Sequence, residues 1–194
     1  MVQRNFSELL LKAGLSRFHE HGYHGTAVQD ITSTAGVPKG SFYNHYASKE
    51  ALAVAAINQY IAENPVMVLF DAAVDSPVAR LRAHFDELRR RFEDSDMTRG
   101  CLLGNLSTEV ADHSDDIRST LAQGFAGWVT GIAQVLDTAR QAGEIPPEVD
   151  PDVTAEFLLN AWEGALLRAR VSKSADPIDA FFKIAFDRVL KPRP

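Results

Sequence analysis

Residues 26–49 read TAVQDITSTAGVPKGSFYNHYASK, and this stretch decides the fold. Thr26 is placed to cap a helix over 27–35, in which Val28, Ile31 and Ala35 would face inward. Gly36 can adopt the left-handed turn, Val37 plugs the corner, and Pro38 is tolerated in the first turn of the next helix, over 39–46. Ser48 then caps a further helix, with Glu50 in its first turn. The second short helix carries Lys39, Ser41, Asn44 and His45 where a core helix would carry aliphatic residues. A polar helix held outward by a tight turn is how a helix-turn-helix addresses the major groove.

Outward from this stretch the chain reads as all-α, because nothing alternates with the two-residue period of a half-buried strand. A first helix spans 3–22, with Phe6, Leu9, Leu10, Ala13 and Phe18 on one side and Gly22 ending it. The helix after Ser48 is expected to run to about Val74 with a kink at Pro65. A fifth helix follows Ser76-Pro77 and carries the stripe Val78, Leu81, Phe85, Leu88, Phe92. Short and mostly buried, the sixth covers 100–113; the seventh opens at Ser114 and ends near Gly143, with Trp128 on its apolar face. The eighth spans about 151–172 and the ninth about 177–190. The layout is thus about nine helices: a small three-helix head over 1–47 and a larger helical body over 48–194.

The chain has 194 residues, a net charge of −6 and one cysteine. Residues 1–50 carry +1, from five lysines and arginines against four acids, which leaves −7 to the rest. A weakly basic head on an acidic body is compatible with DNA contact through one face, and with weak non-specific binding. A single cysteine forms no internal disulfide, no apolar run approaches the roughly 20 residues of a membrane span, and Glu8 and Lys12 interrupt the first segment as a signal peptide. The expected location is the cytoplasm, with no membrane partner. Nothing in the sequence asks for a cofactor or a metal: His19 and His21 are two apart and do not share a helix face. No phosphate loop, paired catalytic carboxylates or nucleophile triad is recognisable, so no enzyme is expected.

Thr26-Ala27-Val28-Gln29-Asp30-Ile31, Ala35-Gly36-Val37, Lys39-Gly40-Ser41-Phe42-Tyr43-Asn44-His45-Tyr46 and Ser48-Lys49-Glu50 together resemble the TetR family of one-component transcriptional regulators. The resemblance implies a DNA-binding head and a helical body that binds an effector and dimerises through its last two helices. Carried over residue by residue, it places Thr26, Lys39, Gly40, Ser41, Tyr43, Asn44, His45 and Lys49 at the DNA. Ser41 and Asn44 suit base edges, Tyr43 and His45 suit phosphates, and Gly40 lets the backbone approach a phosphate closely. Lys49 would complete a phosphate clamp. Pro38 stands where many members have serine or threonine, and Arg4 is the only basic residue of the short arm before the first helix.

In the body, Arg99 to Glu109 and Ala161 to Arg170 resemble the acrylate- and electrophile-responsive subgroup of these repressors. Cys101 follows Gly100 at a helix start, where the dipole and free amides favour thiolate; the alternative is an inert buried residue. The subgroup is expected to pair such a cysteine with a lysine, and this chain offers Arg168 and Arg170 instead. The candidate effector-binding set is Cys101, Asn105, Glu109, Trp128, Trp162, Glu163 and Arg170.

The expected dimer interface is a four-helix arrangement built from Phe157, Ala161 and Ala165 with Phe181, Phe182 and Ala185. Two-fold symmetry would set two recognition helices roughly 34–40 Å apart on a palindromic, double-stranded operator. A small molecule or electrophile in the body would then shift the fourth helix and release the operator. Two alternatives stand beside this reading: a drug-responsive regulator of an efflux pump with an inert cysteine, and a helical ligand-binding protein or enzyme with a vestigial head.

Overall fold

Capping residues and glycines divide the chain into the helices of the computed structural model, which describes residues 5–63, 69–71 and 73–191. Helix α1 spans Phe6–His21 and begins at Asn5, whose side chain accepts from the Glu8 amide. Helix α2 spans Val28–Ala35 and ends at Gly36, which is left-handed (φ 64°) as the turn requires. A 3₁₀ helix follows over Lys39–Asn44, then α3 over Lys49–Glu63. Helix α4 spans Pro77–Asp94, α5 Leu102–Val110, α6 Asp115–Gln141, α7 Pro151–Ser172 and α8 Asp176–Ile184, with one π-helical turn over Ala185–Val189. No strand occurs among the described residues, and no helix there is long and apolar enough to cross a membrane. The all-α expectation holds.

Two details depart from the sequence reading. The segment expected as helix over 39–46 is wound more tightly, with Ser41 N–H donating to the Pro38 carbonyl (2.9 Å) and His45 N–H to Phe42 (3.0 Å). Three-residue turns of this kind are used in short pieces. The helix expected to run to about Val74 does not reach it: Asp71 instead accepts the Ala73 amide on its side chain (2.9 Å), a local turn that competes with helix. The kink expected at Pro65 and the arm residue Arg4 lie outside the described residues.

By packing, the chain forms two units. The first combines 1–63 with 101–124, the second 64–100 with 125–194. In the first, α1 packs on α2 and α3, and α5 packs on α1 and α3, around Leu10, Phe18, Ile31, Phe42, Leu52, Ile57, Leu102 and Leu106. Ser114 caps α6 by accepting the Ile117 amide (3.1 Å), and its hydroxyl donates to Glu50 in the first turn of α3. The segment 101–124 therefore belongs by packing with the head.

The second unit is centred on rings. Phe85 of α4 meets Trp162 of α7 at 5.3 Å and Phe181 of α8 at 4.9 Å, with Phe182 and Phe186 closing the cluster. Helix α4 starts at Ser76, whose hydroxyl donates to Glu144 (2.7 Å), and α7 starts at Asp150, which accepts from Asp152 and Val153. After α4 the chain turns through left-handed Asp96 and Met97, whose carbonyls both accept from the Lys173 ammonium (3.2 and 3.1 Å).

Candidate nucleic-acid interface

The 3₁₀ helix is fixed from beneath and bare above. Phe42 is fully buried and touches the rings of Tyr43 and Tyr46 (5.2 and 6.1 Å), while the Tyr46 hydroxyl donates to the Ser7 carbonyl of α1 (3.2 Å). Val37 is buried in the corner, and its amide bonds Thr32 across the Gly36 turn (3.0 Å). Above this base Lys39, Gly40, Asn44 and His45 are exposed, Ser41 is half-buried and Tyr43 is 62% exposed. With three residues per turn, Ser41 and Asn44 fall on one edge, and Gly40 and Tyr43 on the next. His45 lies edge-on to Phe6 (6.4 Å). A Cβ added at Gly40 would meet nothing within 4 Å, so packing within the chain does not require glycine there.

Two residues expected at the DNA are elsewhere. Thr26 is fully buried and does not cap α2; Ala27 holds that position, and Asp30 accepts the Ala27 amide (2.9 Å). The Thr26 hydroxyl instead donates to the carbonyls of Gly22 (2.8 Å) and Arg17 (3.2 Å), tying α2 to the end of α1. Lys49 points inward. Its ammonium donates to the carbonyls of Tyr23 (2.9 Å) and Thr26 (3.0 Å) and lies 4.1 Å over the Tyr23 ring. Burial lowers its pKa and the Glu109 carboxylate partly offsets that. The ammonium is spent on the head's own backbone.

Glu109 was expected in an effector pocket, yet it belongs to the same constellation. Its carboxylate accepts from the amides of Tyr23 (2.8 Å) and His24 (3.3 Å), the loop between α1 and α2. Gly22 has φ 74°, and a Cβ there would lie 2.1 Å from the Glu109 Oε1, so the carboxylate occupies the space a side chain would need. The sequence signal was available: Glu109 is polar at a position of a mostly apolar helix, but its partner is 86 residues away.

The remaining effector candidates are divided between the units. Cys101, 5% exposed, occupies the N-cap position of α5 without a side-chain capping bond, and Asn105 is half-buried one turn later; both belong to the first unit with Glu109. Trp128, Trp162, Glu163 and Arg170 belong to the second. Trp128 is buried and donates from Nε1 to His84 Nε2 (2.9 Å), an acceptor that the sequence reading missed. His84 sits three residues after Leu81, on the core stripe of α4, which was the clue to its burial. Trp162 is fully buried, and its Nε1–H has no acceptor among the described residues. Glu163 is half-buried and Arg170 exposed.

Of the residues expected between two copies, Phe157 is exposed and Ala161 half-buried. Ala165, Phe181, Phe182 and Ala185 are buried against their own chain. Helix α7 has two apolar stripes. One, with Leu158, Trp162, Ala165 and Ala169, packs inward. The other, Val153, Phe157, Leu167 and Val171, is 51–82% exposed and continues through exposed Asn160 and Gly164 at steps of three and four.

Residues 10–56 match the family model described as bacterial regulatory proteins, tetR family, and residues 77–185 match that of the tetracyclin repressor-like C-terminal domain. The HTH-type transcriptional repressor DhaR of Mycobacterium sp. (strain GP1) is 36% identical over 193 residues, spanning 98% of this chain and 95% of DhaR. Among solved structures, the regulatory protein TetR from Rhodobacter sphaeroides is 34% identical with a TM-score of 0.85, covering 92% of this chain and 95% of that one. The reduced form of E. coli NemR is 29% identical with a TM-score of 0.89, covering 98% and 100%.

Proposed function

The chain belongs to the TetR family of bacterial regulatory proteins, and on that premise we propose that it is a cytoplasmic homodimer that represses transcription from a palindromic operator until an effector releases it. The observation that carries the DNA assignment is the bare surface over Lys39–His45 on a fully buried Phe42, with a glycine at 40 that the chain's own packing does not require. A phosphate approaching the backbone supplies that requirement. Ser41 and Asn44 share an edge and read bases; Lys39, Tyr43 and His45 hold phosphates.

The second copy docks on the exposed stripe of α7. Val153, Phe157, Leu167 and Val171 form an apolar face on a helix whose other face is already filled, and Gly164 lets a partner helix come close. Two heads then stand roughly 34–40 Å apart along the duplex.

The effector is a small molecule or an electrophile. Cys101, the one cysteine of the sequence, stands at the N-cap of α5 with the backbone amides of a helix start beside it. A relative crystallised in a reduced form supports a thiol-based reading. The unpaired Trp162 Nε1–H within the ring cluster is the complementary feature of the body: a donor awaiting an acceptor atom of a bound molecule.

The test is selection of a duplex from a random pool by the wild-type protein. A palindrome should emerge, Asn44→Ala should relax the choice at one position per half-site, and Gly40→Ala should weaken binding without lowering thermal stability. Leu167→Glu should give a monomer that binds the duplex weakly. Treatment with N-ethylmaleimide, which the only cysteine would take up at Cys101, should release the duplex in wild type and leave Cys101→Ser bound. Release of both proteins alike sinks the cysteine reading, and failure to enrich any sequence sinks the DNA assignment.

A further inference from the structure

We propose that Glu109 is the positioning residue through which α5 holds the DNA-reading head in register, gripping the backbone of Tyr23 and His24 while Ser114 grips the first turn of α3. The proposal rests on the DNA-reading assignment above and adds the residues that convey position to it.

The loop between α1 and α2 is where the geometry converges. From the α5 side, the Glu109 carboxylate accepts the Tyr23 and His24 amides, and the Glu109 carbonyl lies 3.2 Å from His24 Nε2. From the α3 side, Lys49 donates to the carbonyls of Tyr23 and Thr26. Tyr23 is therefore held through its amide by α5, through its carbonyl by α3, and through its ring by Phe18 of α1 at 5.8 Å. Thr26 lies just before α2, and α2 leads through Gly36 into the 3₁₀ helix; α3 leaves that helix at Lys49. Both chain segments that enter and leave the reading surface are thus fastened to one loop, and Glu109 fixes that loop.

Five residues after Glu109, Ser114 donates to Glu50 while its oxygen caps α6. The α5–α6 corner consequently grips the head at two places, on either side of the short connection 111–114. A displacement of α5 along its axis cannot leave the Tyr23 loop in place without breaking the carboxylate's bonds, because Gly22 and Glu109 are packed without a gap. Helix α5 has Cys101 as its N-cap and ends at Val110. One nine-residue helix thus has the proposed sensing thiol at its start and the grip on the head at its end.

Full-length wild type, Glu109→Ala and Glu109→Gln are compared on the duplex selected by wild type, with hydrogen exchange read in parallel. Glu109→Ala should weaken duplex binding about tenfold, the scale of a lost hydrogen bond to a charged group. The slope of affinity against salt should not change, since no phosphate contact is removed. Exchange at the Tyr23 and His24 amides should quicken about tenfold while the helices α6 to α8 keep their protection, and Glu109→Gln, which retains an acceptor oxygen, should restore most of both effects. Binding within twofold of wild type with both amides still protected overturns the proposal. So does a reduced salt slope, which would make Glu109 part of the phosphate field, or faster exchange spread over all helices, which would make it a general stabiliser. Should wild type enrich no duplex, the DNA assignment fails, and exchange at the two amides still decides whether Glu109 holds the loop.

Discussion

Tyr23 of the first unit, half-buried, and Trp162 of the second, fully buried, are aromatic residues held in opposite ways. Tyr23 is fixed by named bonds: its amide to Glu109, its carbonyl to Lys49, its ring beneath the same ammonium. Trp162 is fixed by area. It is fully buried, meets Phe85 and Phe181 at 5.3 Å each and Phe182 at 6.3 Å, and its side-chain Nε1–H has no partner among the described residues. Directional bonds define one geometry and fail when it shifts, whereas edge-to-face rings can re-pack at modest cost. The first arrangement suits a surface that must match DNA; the second suits a body that must accept a ligand.

The contrast breaks if the two units respond alike to deletion of their anchors. Phe85→Ala removes a fully buried ring shared by Trp162, Phe181 and Phe186 and should cost about 3–5 kcal/mol of stability in urea unfolding. A cost under about 1 kcal/mol would mean the cluster is not the core of its unit. In the first unit Thr26→Val keeps shape and deletes the hydroxyl that donates to Gly22 and Arg17. Its cost should be about 1–2 kcal/mol, that of a buried acceptor losing a donor. Should it equal or exceed the loss from Phe85→Ala, the head would depend on its hydroxyl more heavily than the body depends on its rings.

The same difference explains what the sequence made legible. Helix starts at Ser76 and Ser114, the turn at Gly36 and the exposed Lys39–His45 surface follow from local chemistry, and local chemistry is written in neighbouring residues. The two faces of α7 were not separable, because Phe157 and Trp162 both fall on apolar stripes and only packing shows which stripe the chain itself covers. Thr26 and Lys49 were assigned to DNA because a hydroxyl and an ammonium beside a recognition element suit phosphates equally well. Their true acceptors are main-chain carbonyls, which every residue has and no side-chain pattern marks. The partners of Glu109 are equally unmarked in the sequence, because the groups it binds are amides.

The smallest expected effect sharpens the comparison at Tyr23 itself. Burial, with the Glu50 carboxylate adding to it, raises the Tyr23 phenol above its ordinary 10.0, while burial lowers the Lys49 ammonium below its ordinary 10.5. The native state therefore keeps the phenol proton at pH values where the unfolded chain has lost it. That contribution to stability is complete below 10.0 and is lost as pH rises through the raised value. Lys49 acts with the opposite sign: the unfolded chain binds the extra proton between the lowered value and 10.5, so stability is gained as pH rises across that interval. In wild type the two slopes oppose each other in the alkaline range. Tyr23→Phe removes only the falling one, so its stability should decline less steeply with pH than that of wild type; Lys49→Met should decline more steeply. Urea unfolding across the alkaline range reads both slopes. A decline in Tyr23→Phe as steep as that of wild type would mean the phenol ionises freely in the folded head, and Tyr23 would then be held by its backbone alone.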